Sequence, residues 1–253
     1  MDYAAECDQL AAIADSFATA LDGADLSRPV PTCPDWTLLD LAVHTGRVHR
    51  WAMLLVRELA QERMPAPRDG EPGAADDVAG WFRKGGDALV ATLRAADPEA
   101  PMWSWGVDQS VRFWSRRQVH ETAIHQADAL IALKRPVQIE VDVAADGIDE
   151  LLDNLASTRA FSPKIAELHG DGESIHVHAV DTPDSNGIGE WVITLQPDGF
   201  GYSHGHAKGD VAVRGTISDL ELMMYNRLPV TDDRFEVFGD RALLERWLAA
   251  AQL

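Results

Sequence analysis

The chain has 253 residues, enough for one large domain or two modest ones, and its 46% hydrophobic and 25% charged residues suit a globular protein. A net charge of −19 argues against nucleic acid and anionic membrane as partners, because both require a basic surface. No apolar run is long enough to span a membrane, Met1-Asp2-Tyr3-Ala4-Ala5-Glu6 is too acidic for a signal peptide, and Cys7 and Cys33 form neither a disulfide framework nor a Cys-x-x-Cys site. The expectation is a cytoplasmic protein with reduced thiols.

In chain order, residues 3–22 carry Leu10, Ile13, Phe17 and Leu21 at helical spacing, and Asp22-Gly23 ends the run. A proline-bearing loop follows, and Val30-Pro31-Thr32-Cys33-Pro34-Asp35-Trp36-Thr37 marks a helix entrance with Asp35 as the expected N-cap. The helix is expected over about 36–62, with Leu38, Leu41, His44, Val48, Trp51 and Leu55 on its inner side and His49 turned elsewhere. Residues 64–75 are a Pro/Gly-rich loop, and 76–96 a helix interrupted by Gly85-Gly86. Met102, Trp103 and Trp105 lie in the loop 97–111, as a wall over a site or as a plug for the end of a bundle.

The next helix, about 112–134, contains Glu121, His125 and Asp128. Glu121 and His125 are four apart and Asp128 seven beyond Glu121, so all three share one stripe. Burying them needs a partner, and a divalent metal would be one. His44, inward on the second helix, completes a two-histidine, one-carboxylate set of the kind built between facing helices. Three protein ligands leave a position open, as in catalytic sites. The spacing alone also admits a surface ion pair or a satisfied core pair. His120, beside Glu121, is turned about 100° away and is not a ligand on this reading.

Residues 143–160 read as a fifth helix. Beyond about 165 the texture becomes strand-like, at 174–180, 191–195, 211–213 and 235–237, with helices from Ser218 or Asp219 through Tyr225 and over 240–251. The fold class is therefore a two-domain α plus α/β chain: a helical domain, residues 1–162, followed by a smaller α+β domain, residues 163–253. His176 and His178 share one strand face and His204-Gly205-His206 is similar; the favoured reading is a half-exposed polar face, with a second metal site between the pairs as the alternative.

Two stretches carry a resemblance. Val30-Pro31-Thr32-Cys33-Pro34-Asp35-Trp36-Thr37 running on to His44, and Arg116-Arg117-Gln118-Val119-His120-Glu121-Thr122-Ala123-Ile124-His125 with Asp128, resemble the mycothiol-dependent maleylpyruvate isomerase family of the DinB-like metalloenzyme superfamily. Gly189-Glu190-Trp191-Val192, Val213-Arg214-Gly215 and Tyr225-Asn226-Arg227-Leu228-Pro229 are similar to its C-terminal domain. The resemblance implies a DinB-like four-helix bundle in which His44, Glu121 and His125 hold a divalent metal, usually zinc. It also implies roles for Asp128 and a C-terminal arginine, Arg227 first and Arg214 second, toward substrate or thiol cofactor. The implied activity is that of an isomerase or S-transferase, in which mycothiol or a similar low-molecular-weight thiol is activated at the metal for attack on an electrophilic small molecule such as maleylpyruvate. Hydrolase or lyase chemistry through zinc-bound water, and a non-enzymatic metal- or ligand-binding role, remain alternatives, and a His₂Glu set also accepts nickel, iron or manganese.

Overall fold

A computed structural model describes all residues except 68–70, 74–75, 159–161, 183–187 and 253, so parts of the loop expected at 64–75 and the end of the helix expected at 143–160 fall outside the described residues. The chain forms two compact units, Met1–Val137 and Gln138–Leu253. No helix among the described residues is long and apolar enough to cross a membrane.

The first unit is a bundle of four helices: α1 (Tyr3–Leu21), α2 (Leu38–Glu58), α3 (Val78–Ala95) and α4 (Val111–Ala132). Each helix packs on two others: α1 on α3 and α4, α2 on α3 and α4. Phe17, Leu38, Leu41, Phe82 and Ala129 fill one end of the core, driven by removal of apolar surface from water. The Gly85-Gly86 pair does not break α3. A side chain on Gly85 would overlap the Arg50 guanidinium, and one on Gly86 would press on Ala14. The glycines thus buy close approach at the expense of helix propensity. Arg50 uses that space to join α2 to α3, donating to Gly46 O and Trp81 O at 2.8 Å each and stacking 3.7 Å over the Trp81 ring.

The start of α2 differs from the sequence reading. Thr37, not Asp35, is the N-cap: its side chain accepts from Asp40 N, and the Asp40 carboxylate accepts from Thr37 N at 2.9 Å, a reciprocal capping box. Asp35 instead takes a left-handed turn, φ 68°, a conformation that Asp tolerates better than most side chains. The tryptophan loop is anchored to the helices: Trp103 packs with Trp51 of α2 and Trp114 of α4, centroids 5.3–6.2 Å apart within the trio, and Trp114 Nε1 donates to Trp103 O at 2.9 Å.

The second unit begins with α5 (Val141–Thr158), which the sequence reading grouped with the bundle. Its partners explain the boundary: it packs against α7 (Ile217–Met224) and β3 (Gly199–His204). Asp149 accepts from Trp191 Nε1 at 2.7 Å and Asp153 from the Tyr202 hydroxyl at 2.8 Å. The other elements are a short α6 (Pro163–Ala166), β1 (Ser174–Ala179), β2 (Glu190–Gln196), β4 (Val211–Gly215), β5 (Glu236–Gly239) and α8 (Arg241–Ala250). The sheet order is β3-β2-β1-β4-β5, and among the described residues β1 and β4 pair parallel and the other neighbours antiparallel. Ile175, Val177, Trp191, Ile193, Val211 and Val213 are buried, as period-two alternation requires of the core face.

Candidate metal centre

α2 and α4 bring His44, Glu121 and His125 together. His44 Nε2 and His125 Nε2 each lie 3.3 Å from the same oxygen, Glu121 Oε1. One donor atom from each residue falls within 4.8 Å of the others, the span of ligands around one metal ion. The rings of His44 and His125 meet edge to face at 5.1 Å, and Trp36 covers His44 at 4.8 Å.

The remaining polar atoms of Glu121 and His125 are already occupied. Glu121 Oε2 accepts from Arg117 at 2.6 Å, leaving Oε1 for the shared point. His125 Nδ1 donates to Asp128 Oδ2 at 2.9 Å, which directs Nε2 toward Glu121. Asp128 is fully buried and is itself held: Thr32 Oγ1 donates to it at 2.6 Å and Cys33 Sγ at 3.4 Å. Cys33, His125 and Asp128 form a second possible ligand group, but the bonds to Asp128 make it the support of His125 rather than a rival site.

Burial pushes the Glu121 carboxyl up, yet His125, His44 and Arg117 outweigh it and hold Glu121 well below the usual carboxylate range. Burial likewise pushes the His125 imidazolium down, and Glu121, with bonds to Asp128 and Cys33, raises it well above the ordinary value. The pocket favours positive charge.

The stripe on α2 is rotated from the one expected. Thr45, His49, Ala52 and Val56 are buried, whereas the His44 side chain is 32% exposed at the edge of the core. That exposure leaves one side of the cluster in contact with solvent. His49 is a core residue: Thr122 donates to Gln118 O at 2.6 Å, so His49 Nε2 donates to Thr122 Oγ1 at 2.9 Å. Burial lowers its pKa to about 4, so it is neutral at pH 7. His120 is buried and joins none of the ligand groups among the described residues.

Sequence reasoning missed Arg117, although its place four residues before Glu121 was readable. It also missed Thr32 and Cys33 as partners of Asp128, because they reach it from a loop nearly a hundred residues earlier. In the second unit, Arg227 is half-buried and donates to Tyr225 O at 2.7 Å. Arg214, on β4, is exposed and pairs with Glu236 at 3.2 Å.

Residues 5–130 match the family model for the mycothiol maleylpyruvate isomerase N-terminal domain, and residues 142–246 the model for its C-terminal domain. Two solved structures, the mycothiol-dependent maleylpyruvate isomerase and its H52A mutant, align at TM-score 0.60 and 11% identity over 94% of this chain and 93% of theirs. A comparison with curated proteins found no match.

Proposed function

The chain belongs to the mycothiol maleylpyruvate isomerase family, and from that premise we propose that it is a metal-dependent isomerase that uses a low-molecular-weight thiol, mycothiol in the first instance. The observation that carries the reading is the convergence of His44 Nε2 and His125 Nε2 on one oxygen of Glu121. Two neutral imidazoles and one carboxylate suit zinc and leave a coordination position open. A metal there would supply Lewis-acid chemistry, lowering the pKa of a thiol so that it reacts as thiolate at neutral pH.

The chain's own residues then have separable tasks. Arg117 keeps Glu121 ionised and fixes which oxygen faces inward. Asp128 orients His125 and, with Thr32 and Cys33, keeps it in one tautomer. Trp36 walls one side of the cluster. A thiolate adding to the double bond of maleylpyruvate gives a single bond that rotates. Elimination of the same thiolate restores the double bond as the trans isomer, so the thiol is regenerated and no oxidant is consumed. Arg227 is the chosen partner for a carboxylate of substrate or thiol, with Arg214 second; a guanidinium suits that group because it can bond both oxygens. A cytoplasmic setting accords with this chemistry, since small thiols and the free Cys7 and Cys33 stay reduced there.

The test is metal analysis and a maleylpyruvate isomerisation assay on the full chain, with and without mycothiol. Turnover should require both thiol and metal. His44→Ala should lose the bundle metal and at least about 100-fold in kcat/KM, while Arg227→Ala should raise KM and leave metal content unchanged. Turnover without thiol would overturn the reading in favour of metal-activated water, and unaltered metal binding and activity in His44→Ala would remove the site.

A further inference from the structure

The sheet of the second unit carries a group of ligand-type side chains independent of the bundle. His176 and His178 project from one face of β1. β2 runs antiparallel beside it with Glu190 opposite His178. His206 joins them from the loop after β3, past Gly205, whose φ of +124° an L side chain rarely adopts. Glu190 Oε1 lies 2.7 Å from His178 Nδ1, and Oε2 lies 3.4 Å from His176 Nε2 and 3.0 Å from His206 Nδ1. The three imidazole rings stand nearly perpendicular to one another, with interplanar angles of 73°, 81° and 87°.

We propose that His176, His178, Glu190 and His206 form a second metal site, of the four-coordinate zinc type, that fastens the loop after β3 to the β1–β2 face. The four donor atoms lie within 4.8 Å of one another, and the ligands of a tetrahedral zinc stand roughly 3.3 Å apart. The buried nitrogens give independent support. His176 is 4% exposed, and its Nε2, like Nδ1 of His178, is buried without a hydrogen bond. The Glu190 oxygens lie 3.4 Å from His176 Nε2 and 2.7 Å from His178 Nδ1, so carboxylate and imidazoles face one shared point. Buried polar atoms left in that state are costly, and a cation removes the cost. An entry path exists: a cavity of about 540 Å³ is lined by His176, His178 and His206. His204, the other member of the His-x-His pair, takes no part; it faces Asp149 at 3.2 Å. Four protein ligands make this a closed, structural site, unlike the three-ligand bundle site.

The test uses the full chain, stripped with chelator and titrated with Zn²⁺ or Co²⁺. The His44→Ala variant should retain one ion per chain with the intense visible spectrum of four-coordinate Co²⁺. Adding His178→Ala should abolish that signal. His206→Ala, in an exposed side chain that the fold does not need, should leave the circular dichroism unchanged and weaken the second ion at least tenfold. The wild type should bind two ions; a single ion lost in His178→Ala but kept in His44→Ala would sink the bundle reading and leave this one standing. If His44→Ala binds no ion, or His206→Ala and His178→Ala leave its affinity unaltered, the sheet site does not exist.

Discussion

Asp128 shows how much of the bundle cluster is arranged by a residue outside the proposed ligand set. It is fully buried and accepts from His125 Nδ1 at 2.9 Å and Thr32 Oγ1 at 2.6 Å. Its charge fixes the tautomer that turns His125 Nε2 toward Glu121, and outer partners of this kind typically contribute 10–100-fold to metal affinity or activity. Asp128→Asn keeps the size and can still accept from His125, but it removes the charge. Zinc affinity, measured by competition with a chromogenic chelator, should fall by roughly 10–100-fold while the helical circular dichroism is unchanged. An affinity equal to wild type would show that packing alone orients the ring. Asp128 was legible in the sequence because it sits three residues after His125 and seven after Glu121, on one helical stripe. Thr32 and Cys33 were not, since contacts from a distant loop leave no periodic trace. His44 was legible only in part: it was found, but at the centre of the buried stripe rather than at its edge.

At the scale of elements, the packing of α5 on α7 buries a carboxylate with an unusual consequence for stability. Glu221 on α7 is wholly buried, and neither side-chain oxygen has a hydrogen-bond partner among the described residues. Burial pushes its carboxyl well above the ordinary carboxylate range, and Glu150 and Asp146 across on α5 push it further. The native state therefore binds a proton that the unfolded state releases near its ordinary pKa of 4.5. Native stability must fall as pH rises from about that value through the raised folded one. Glu221→Gln removes the charge, so at pH 8 it should be more stable than wild type by about 1–3 kcal/mol in urea unfolding. The difference should shrink as pH approaches 4.5, and a pH-independent difference would contradict this origin. The elements themselves were mostly readable, because among the described residues apolar periodicity marks each long helix and four of the five strands. The strand β3 was missed because Gly199 and Gly201 dilute the alternation of Phe200 and Tyr202. The start of α2 was displaced because Asp35 and Thr37 are both capable caps, and only the backbone turn at Asp35 decides between them. The sheet histidines were visible as a face, but Glu190 could join them only once strand pairing had set β2 against β1.

At the scale of the molecule, each unit has its own core, so thermal unfolding need not be a single transition. Metal binding can then be assigned to a unit, because an ion that binds only the native state stabilises the part of the chain that holds its ligands. The proposed bundle ligands come from α2 and α4, 77 residues apart between His44 and Glu121, so an ion there would tie two helices of the first unit and act on that unit's melting. Free zinc at about 100 times its dissociation constant contributes roughly 2.7 kcal/mol, enough to move the transition of a domain this size by roughly 5–15 °C. Differential scanning calorimetry of wild type should show this upward shift with zinc and its reversal with EDTA. The His44→Ala variant should lose the shift of the bundle transition, and His206→Ala should keep it. A zinc response of the bundle transition that survives His44→Ala would mean that the ion acts on that unit through residues other than the trio converging on Glu121.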